Sequence, residues 1–225
     1  QVLAVERSID AGSYRPGPWA EATRRAGALP REQRLALEED ISRVSDKLHR
    51  RNHPGRKVGV RLGVVLELIV AADSVVGIYL GLRWDVPLVV WLSTFALSYT
   101  LQPLVKMLVA GLLGVRYSYF YVQMIVEPRV KMRYGTYLAL STPRRVIVHL
   151  AGMIGSPSAF LVVAPLIADR MPVTAEICTV FGLGFVGLNL MLFVLGFAGV
   201  RRVEQLTSCG AAAREIKNSF RARTT

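Results

Sequence analysis

The sequence predicts an all-α membrane protein with four transmembrane helices, a cytoplasmic amphipathic helix and a short interfacial hairpin loop. Three observations predict this class. Hydrophobic residues make up 52% of the 225 residues, yet the chain has a formal net charge of +12. The apolar and basic residues occupy separate segments, whereas a water-soluble domain mixes them. Four apolar stretches are long enough to cross a hydrocarbon layer of about 30 Å. A secreted disulfide scaffold, a disordered tail and an ordinary water-soluble enzyme are excluded.

A polar segment, residues 1–56, precedes the first apolar stretch. Between Gln1 and Leu29 its Gly, Pro, Ser and Arg content predicts an extended or loosely ordered arm. From Pro30 to residue 52 a helix is predicted, because apolar residues recur at helical spacing. These residues are Leu37, Ile41, Val44 and Leu48. We expect this amphipathic helix to pack on the cytoplasmic face of its own bundle, and the alternatives are another subunit or anionic lipid headgroups.

The predicted spans cover approximately residues 62–82, 86–114, 146–168 and 174–200. Their orientation follows from the basic residues, because those of short loops stay in the cytoplasm. Lys and Arg number 13 in residues 1–61, 6 in residues 115–145 and 6 after residue 200, which is 25 of 28. Both termini and the central loop should therefore be cytoplasmic. The chain then divides into a segment 1–56, a membrane domain 57–200 and a cytoplasmic tail 201–225.

The central loop, residues 115–145, predicts a short hairpin. Its first part, Tyr117–Val122, is aromatic and β-branched, which is typical of a strand. Alternation resumes after residues 127–129 and ends at Gly135. An open sheet edge cannot face lipid, so the hairpin should lie at the membrane surface or against protein. The tail, with its alanines and alternating charges, predicts a short surface helix.

The second span carries polar residues spaced four apart, which lie on one face of a helix. They are Thr94, Ser98, Gln102 and Lys106. This face should contact protein. Lys106 lies ten residues before Arg116, about 15 Å along a helix and thus near the middle of the membrane. An unpaired lysine there costs about 2.5–3.5 kcal/mol, so we expect Lys106 to have a partner.

The first span offers two acidic partners for Lys106. Measured from Arg61, Glu67 is six residues inside, about 9 Å, and Asp73 is twelve residues inside, about 18 Å. The depth of Asp73 matches Lys106 better, so we predict an Asp73–Lys106 ion pair, with Glu67 reachable if the lysine extends toward the cytoplasm. Asn189 in the fourth span lies at a similar depth and is predicted to join this network. Interhelical hydrogen bonding is the favoured role of the network, and a proton or ion path is the alternative.

Several motifs follow one another in the segment from Tyr99 to Pro157. Gln102–Lys106 is followed by small apolar residues and by Leu113-Gly114-Val115-Arg116, and Ser141–Arg145 leads into His149-Leu150-Ala151-Gly152. In order and spacing, this segment resembles the site-2 protease-like intramembrane zinc metalloproteases. In that family an H-E-x-x-H helix has a Leu-Gly-Val-Arg-like exit, and a Ser-Pro-x-x-Arg sequence leads into an Ala-Gly-Pro motif.

The resemblance implies a metal site whose residues have been replaced. The first histidine position is Gln102, the glutamate position is Pro103 and the second histidine position is Lys106. Zinc hydrolysis needs two imidazoles one helical turn apart and a glutamate that handles protons. The family's third ligand is an aspartate, but no Asp occurs in residues 173–225, where Ser208-Cys209-Gly210 is a candidate relic. We therefore predict no catalytic residue, no metal and no cofactor, with Lys106 as a fixed cation in the metal position.

Two further features of the sequence, a pair of histidines and a high isoelectric point, have simple explanations. His49 and His53 are four residues apart and could form half of a metal site, but a solvated basic turn is favoured. The isoelectric point of about 10.3 raises the question of nucleic acid. The basic residues cluster at the membrane boundary, where they set topology and attract anionic lipid. No nucleic-acid partner is therefore predicted.

The predicted function is that of a non-catalytic integral membrane scaffold or accessory subunit of a larger membrane complex. It would be a pseudoprotease that works by packing against other protein subunits in the lipid bilayer, and an energy-transducing complex is one candidate host. The alternative is a small transporter or proton-conducting subunit that uses Asp73, Glu67 and Lys106. Residual zinc-dependent proteolysis is the third hypothesis.

Overall fold

The computed structural model describes residues 1–15, 17–53, 55–123 and 127–224. Within these ranges the chain forms eleven helices and three strands. The helices are α1 (Val2–Asp10), α2 (Pro18–Ala28), α3 (Arg31–Ala36), α4 (Glu38–Asn52), α5 (Val60–Arg83), α6 (Pro87–Leu112), α7 (Tyr134–Ala139), α8 (Thr142–Ile167), α9 (Pro172–Phe197), α10 (Arg201–Leu206) and α11 (Ser208–Thr224). The strands are β1 (Lys57–Val58), β2 (Tyr117–Gln123) and β3 (Glu127–Met132).

In the described ranges, four helices are long and apolar enough to cross a membrane: α5, α6, α8 and α9. They contain 24 to 26 residues each. The four predicted spans are thereby confirmed, with ends that differ by a few residues. The chain is an integral membrane protein. The link between α5 and α6 turns at Asp85, which has a φ of 55°, a conformation that few residues other than glycine adopt.

The described residues form two compact units that do not follow the order of the chain. The first, here called the polar unit, comprises Gln1–Val60 and Gly111–Ser141. The second, the apolar unit, comprises Arg61–Ala110 and Thr142–Thr225. The division made from the sequence grouped the central loop with the spans and separated a tail. In the structure the central loop belongs with the N-terminal segment, and α10 and α11 belong with the spans.

The core of the polar unit lies between α1, α2, α4 and α7. The prediction of an extended arm from Gln1 to Leu29 is wrong, because most of these residues form α1 and α2. Each of these short helices buries two small apolar residues that are three or four positions apart, and this burial stabilises the helix. The buried residues of the core are Val2, Val5, Ala22, Ala26, Ile41, Val44, Leu48, Tyr137 and Leu138.

The helix predicted from Pro30 is two helices, α3 and α4, which meet at Leu37. Gly135 of α7 lies directly against the backbone at Glu38, the first residue of α4. A Cβ on this glycine would stand 2.6 Å from the carbonyl carbon of Glu38. The backbone N–H of Gly135 also donates to Ser42 Oγ at 3.0 Å. The glycine therefore allows the close contact between α7 and α4.

The three strands form one antiparallel sheet in the order β1-β2-β3. β2 and β3 lie in the central loop, where the sequence predicts a hairpin, and residues 124–126 between them lie outside the described residues. β1 was not predicted, since two residues carry too little pattern to be recognised. It pairs Lys57 with Tyr121 and Val58 with Phe120. The sheet thus connects the start of the first span to the central loop.

The apolar unit is organised around α8, which packs against α9 and α11. Its larger core joins α6, α8 and α9 through side chains that are almost completely buried. These include Val90, Phe160, Val163, Ile167 and Cys178. The prediction of a surface helix in the tail is wrong for α11, because Cys209, Ala212, Ala213 and Glu215 are buried. Gly196 of α9 lies against the Cα of Gly210, so α9 and α11 come into backbone contact.

Candidate polar site around Lys106

The polar face of α6 is largely enclosed by protein, as predicted. Thr94 and Ser98 are buried, and their hydroxyls donate to backbone carbonyls of their own helix. The carbonyl of Ser98 also accepts a hydrogen bond from Ser156 of α8 at 3.2 Å. One turn further, Gly155 of α8 lies against the backbone of Gln102, whose Cα is 2.6 Å from where a Cβ would stand. α6 and α8 therefore cross closely at Gln102.

Lys106 lies where α6, α8 and α11 meet. Its Nζ donates a hydrogen bond to Ser208 Oγ at 3.2 Å. Its aliphatic stem crosses Gly152 of α8, because a Cβ on that glycine would stand 3.3 Å from Lys106 Cδ. The Ser208 hydroxyl lies 3.1 Å from the same point. The lysine that the sequence places near mid-membrane is thus held by a hydroxyl at the start of α11.

Asn189 connects α9 to this site through α8 and α11. Its amide Nδ2 donates to the carbonyl of Met153 at 3.0 Å, and its Oδ1 accepts from Cys209 Sγ at 3.3 Å. Cys209 is the chain neighbour of Ser208, which holds Lys106. The described hydrogen bonds of Asn189 are therefore to α8 and α11, and its membership of a network with Lys106 stays a prediction.

An ion pair joins α8 and α11 nearer the start of α8. Arg145 Nη1 lies 3.1 Å from Glu215 of α11, and both side chains are largely buried, at 12% and 8% exposed. His149, one turn after Arg145, is also buried. It lies within the electrostatic influence of the cations Lys106, Arg145 and Arg214. Glu215 therefore supplies negative charge to a predominantly cationic region.

The predicted Asp73–Lys106 ion pair is absent from the structure. No ion pair between described residues joins Lys106 to Asp73 or to Glu67, and Asp73 is exposed, whereas Glu67 is buried in α5. The depth comparison made from the sequence therefore selected the wrong partner. Ser208, which the sequence offered only as part of a candidate relic motif, accepts a hydrogen bond from the lysine.

The register of the α5–α6 hairpin explains why Asp73 does not reach Lys106. Gly77 lies against the side chain of Ser93, and Gly81 lies against Val90. If this antiparallel register is continued, Asp73 lies at the level of residue 97, nine residues and about 13 Å before Lys106. The depth comparison assumed that Arg61 and Arg116 lie in one plane, whereas the contacts of Gly77 and Gly81 set a different offset between the two helices.

Gln102, Pro103 and Lys106, the residues at the positions that the resemblance assigns to the metal site, do not fit a zinc ion. Gln102 offers an amide, Pro103 has no ligand atom in its side chain, and Lys106 offers an ammonium group, whereas zinc prefers thiolate, imidazole and carboxylate. Within the described residues, no group of three or more His, Cys, Asp or Glu side chains could hold a metal ion. No step of zinc chemistry can therefore be derived from these side chains.

Arg145 and Glu215 were not recognised from the sequence as members of this site. A weak signal does exist, since Ala211-Ala212-Ala213 precedes Glu215 by one turn, and small residues are typical of close helix packing in membranes. No family model, curated protein or solved structure matches the chain.

Proposed function

We propose that this protein is a non-catalytic integral membrane scaffold or accessory subunit of a larger membrane complex. It would use a metalloprotease-like fold that has lost its zinc site. The observation that supports this proposal is the contact between Lys106 Nζ and Ser208 Oγ at 3.2 Å. An ammonium group at the second histidine position repels a divalent cation electrostatically. The side chain at this position serves here to join two helices.

The neighbouring polar contacts favour the same structural role. Asn189 bonds to α8 and α11, and Arg145 pairs with Glu215 across the same interface. Each contact spans two or more helices, which is the ordinary use of polar side chains inside membranes. A proton path instead requires a chain of titratable groups along the span. Asp73, which the alternative hypothesis needs, is exposed and lies away from this site.

We further propose that both termini and the central loop lie on the cytoplasmic side, since 25 of the 28 basic residues flank the spans on that side. Other protein subunits would pack against the spans from within the bilayer. An energy-transducing complex is one candidate host.

The test is purification of the full chain from its native membranes in a mild detergent, followed by metal analysis. We expect other membrane subunits to co-purify in fixed ratio, and zinc to be far below one ion per chain. Lys106→Met keeps most of the length of the side chain but removes its charge, so it should reduce the recovered partners. Arg170→Gln, an equal loss of charge at the exposed α8–α9 link, should not.

Three results would contradict the proposal. One tightly held zinc ion per chain would indicate a retained metal site. Recovery of the chain alone would count against an accessory subunit. Loss of proton or ion flux in Asp73→Asn, with assembly unchanged, would support the transporter hypothesis instead.

A further inference from the structure

Three acidic residues of the polar unit neutralise the two cations in the middle of α4. Glu6 lies 2.9 Å from Arg43 and 2.8 Å from Lys47, and Asp10 lies 2.9 Å from Lys47. Hydrogen bonds from Arg43 and Lys47 lower the pKa of Glu6 to about 2. Asp40, in the first turn of α4, pairs with Arg43 as well. The cations of this half of the helix therefore have carboxylate partners.

The C-terminal end of α4 and the chain that follows carry positive charge without this compensation. No Asp or Glu occurs between residues 47 and 66. Among the described residues, none of the four cations in this stretch before α5 makes an ion pair. These four are Arg50, Arg51, Arg56 and Lys57.

Two of these cations converge on one aromatic ring. Arg50 Cζ lies 5.6 Å and Lys57 Nζ lies 5.9 Å from the ring centroid of Tyr119. Lys57 is held in place by the pairing of β1 with β2 and by a hydrogen bond to the carbonyl of His53 at 2.9 Å. We call Arg50, Arg51, Arg56, Lys57 and Tyr119 the Tyr119 patch.

The titratable neighbours of the patch are mostly positive or neutral. His49 contacts the Tyr119 hydroxyl through Nδ1 at 2.9 Å. Burial, and then the charges of Lys131, His53 and Lys57, lower the pKa of His49 to about 4. Asp46 also acts on Tyr119 and on Lys131, so one carboxylate faces this region from α4. The cations outnumber it.

Chain connectivity places the patch near the membrane boundary. Lys57 lies three residues before α5 begins at Val60, and Tyr119 lies seven residues after α6 ends at Leu112. Each residue spans at most about 3.6 Å, so chain length keeps Lys57 within about 11 Å of the start of α5 and Tyr119 within about 25 Å of the end of α6. Phospholipid phosphates lie at the ends of membrane spans.

We propose that the Tyr119 patch binds the phosphate of an anionic phospholipid in the leaflet that contains the start of α5. Arg50 and Lys57 would donate charge-assisted hydrogen bonds to the phosphate oxygens, and Arg51 and Arg56 would add long-range attraction. Polybasic segments next to a span recognise anionic lipid in this way. This inference does not depend on the proposed function, since it concerns the polar unit and not the Lys106 site.

The test is a lipid titration of the purified full chain in detergent, with bound lipid counted by native mass spectrometry. We expect tighter binding of phosphatidylglycerol than of phosphatidylcholine. Arg50→Gln/Arg51→Gln should weaken phosphatidylglycerol binding about 30-fold and leave phosphatidylcholine binding unchanged. Arg56→Gln, in an exposed loop where misfolding is no concern, should weaken it about fivefold.

The matched control is Arg24→Gln/Arg25→Gln, a second pair of adjacent exposed arginines in the same unit. Both arginines pair with Glu21, so this variant should keep the lipid preference within about twofold. Equal losses in the two double variants would overturn the proposal, because they would indicate a general charge effect. The proposal would also be overturned if Arg56→Gln and Arg50→Gln/Arg51→Gln both kept the full preference for phosphatidylglycerol over phosphatidylcholine. If millimolar inorganic phosphate removes the preference, the patch is a free-phosphate site and the lipid assignment is wrong.

Discussion

Single glycines set the distance between the helices of the apolar unit. Gly155 brings α8 onto the backbone of α6 at Gln102, and Gly152 leaves the space that the Lys106 stem occupies. Gly196 does the same for α9 and α11 at Gly210. At Gly155 and Gly196 the nearest neighbouring atom is backbone, so the space cannot be regained by rotation of a side chain.

Gly155→Ala should therefore destabilise the apolar unit. Its new methyl group would stand 2.6 Å from the Cα of Gln102 and 2.7 Å from the carbonyl oxygen of Leu101. We expect a loss of about 1–3 kcal/mol, typical of overpacking, measured by thermal unfolding in detergent. Gly184→Ala on α9 is the control, because nothing lies within 4 Å of its Cβ position. Equal stability of the two variants would contradict the close crossing of α6 and α8.

His49 should make the stability of the polar unit depend on pH. Its pKa is about 4 in the folded chain, mainly because of burial, against about 6.5 when unfolded. The unfolded state binds more protons between these values, so stability is full above pH 6.5 and falls as the pH approaches 4. We expect a loss of about 1–3 kcal/mol, measured by hydrogen exchange of the α4 amides and corrected for intrinsic rates.

His49→Gln should remove this pH dependence, while His53→Gln should retain it because His49 is still present. Another group would be responsible if the His49→Gln variant showed the same decline between pH 6.5 and 4.

At the scale of secondary-structure elements, α11 is the helix whose role is hardest to predict from the sequence. Its composition is that of a surface helix, yet Ala212 and Ala213 are completely buried against the spans. Three polar contacts hold it in place: Ser208 with Lys106, Cys209 with Asn189, and Glu215 with Arg145. The helix therefore completes the Lys106 site and is not an appendage of α9.

Glu215→Gln should weaken the docking of α11 on α8. Removing one partner of a largely buried ion pair costs about 2–4 kcal/mol, because the other charge loses its compensation. Limited proteolysis in detergent measures this as faster cleavage within residues 201–224. Glu204→Gln, on α10, removes an equal charge from the same segment without an ion pair among the described residues, and should leave cleavage unchanged. The exchange Arg145→Glu/Glu215→Arg should restore part of the protection, and its failure to do so would point to packing alone.

At the scale of the whole molecule, the distribution of charge predicts the orientation in the membrane. The polar unit contains 16 Lys and Arg against 9 Asp and Glu, and it comprises the N-terminal segment and the central loop. The links at Asp85 and Asp169 are short and carry one basic residue each. Basic residues of short loops are retained in the cytoplasm, so the polar unit should face that compartment.

Cysteine labelling can check this orientation. Ser13→Cys and Ser141→Cys, both exposed, should react with a membrane-impermeant maleimide from the cytoplasmic side, and Asp169→Cys should react from the opposite side. The native thiols of Cys178 and Cys209 are buried and should react slowly. Labelling of Ser141→Cys and Asp169→Cys from the same side would contradict a full crossing by α8.

The four spans follow from the sequence alone because hydrocarbon imposes a strong and local requirement. Each span must be apolar over about 20 residues and must satisfy its own backbone, so its length and position can be recognised without any partner. The enclosed face of α6 is predictable for a similar reason, since Thr94, Ser98 and Lys106 avoid lipid wherever the other helices lie.

The tertiary structure alone decided which residues meet. The register of α5 against α6 depends on glycine contacts at Gly77 and Gly81, and it separates Asp73 from Lys106. The position of α11 depends on small residues that are far away in the chain, and this position brings Ser208 to the lysine. Burial in α1 and α2 likewise depends on α4, which their local composition does not reveal. Pairings of this kind arise from shape and offset between segments far apart in the chain, whereas periodicity and hydropathy report on one segment at a time.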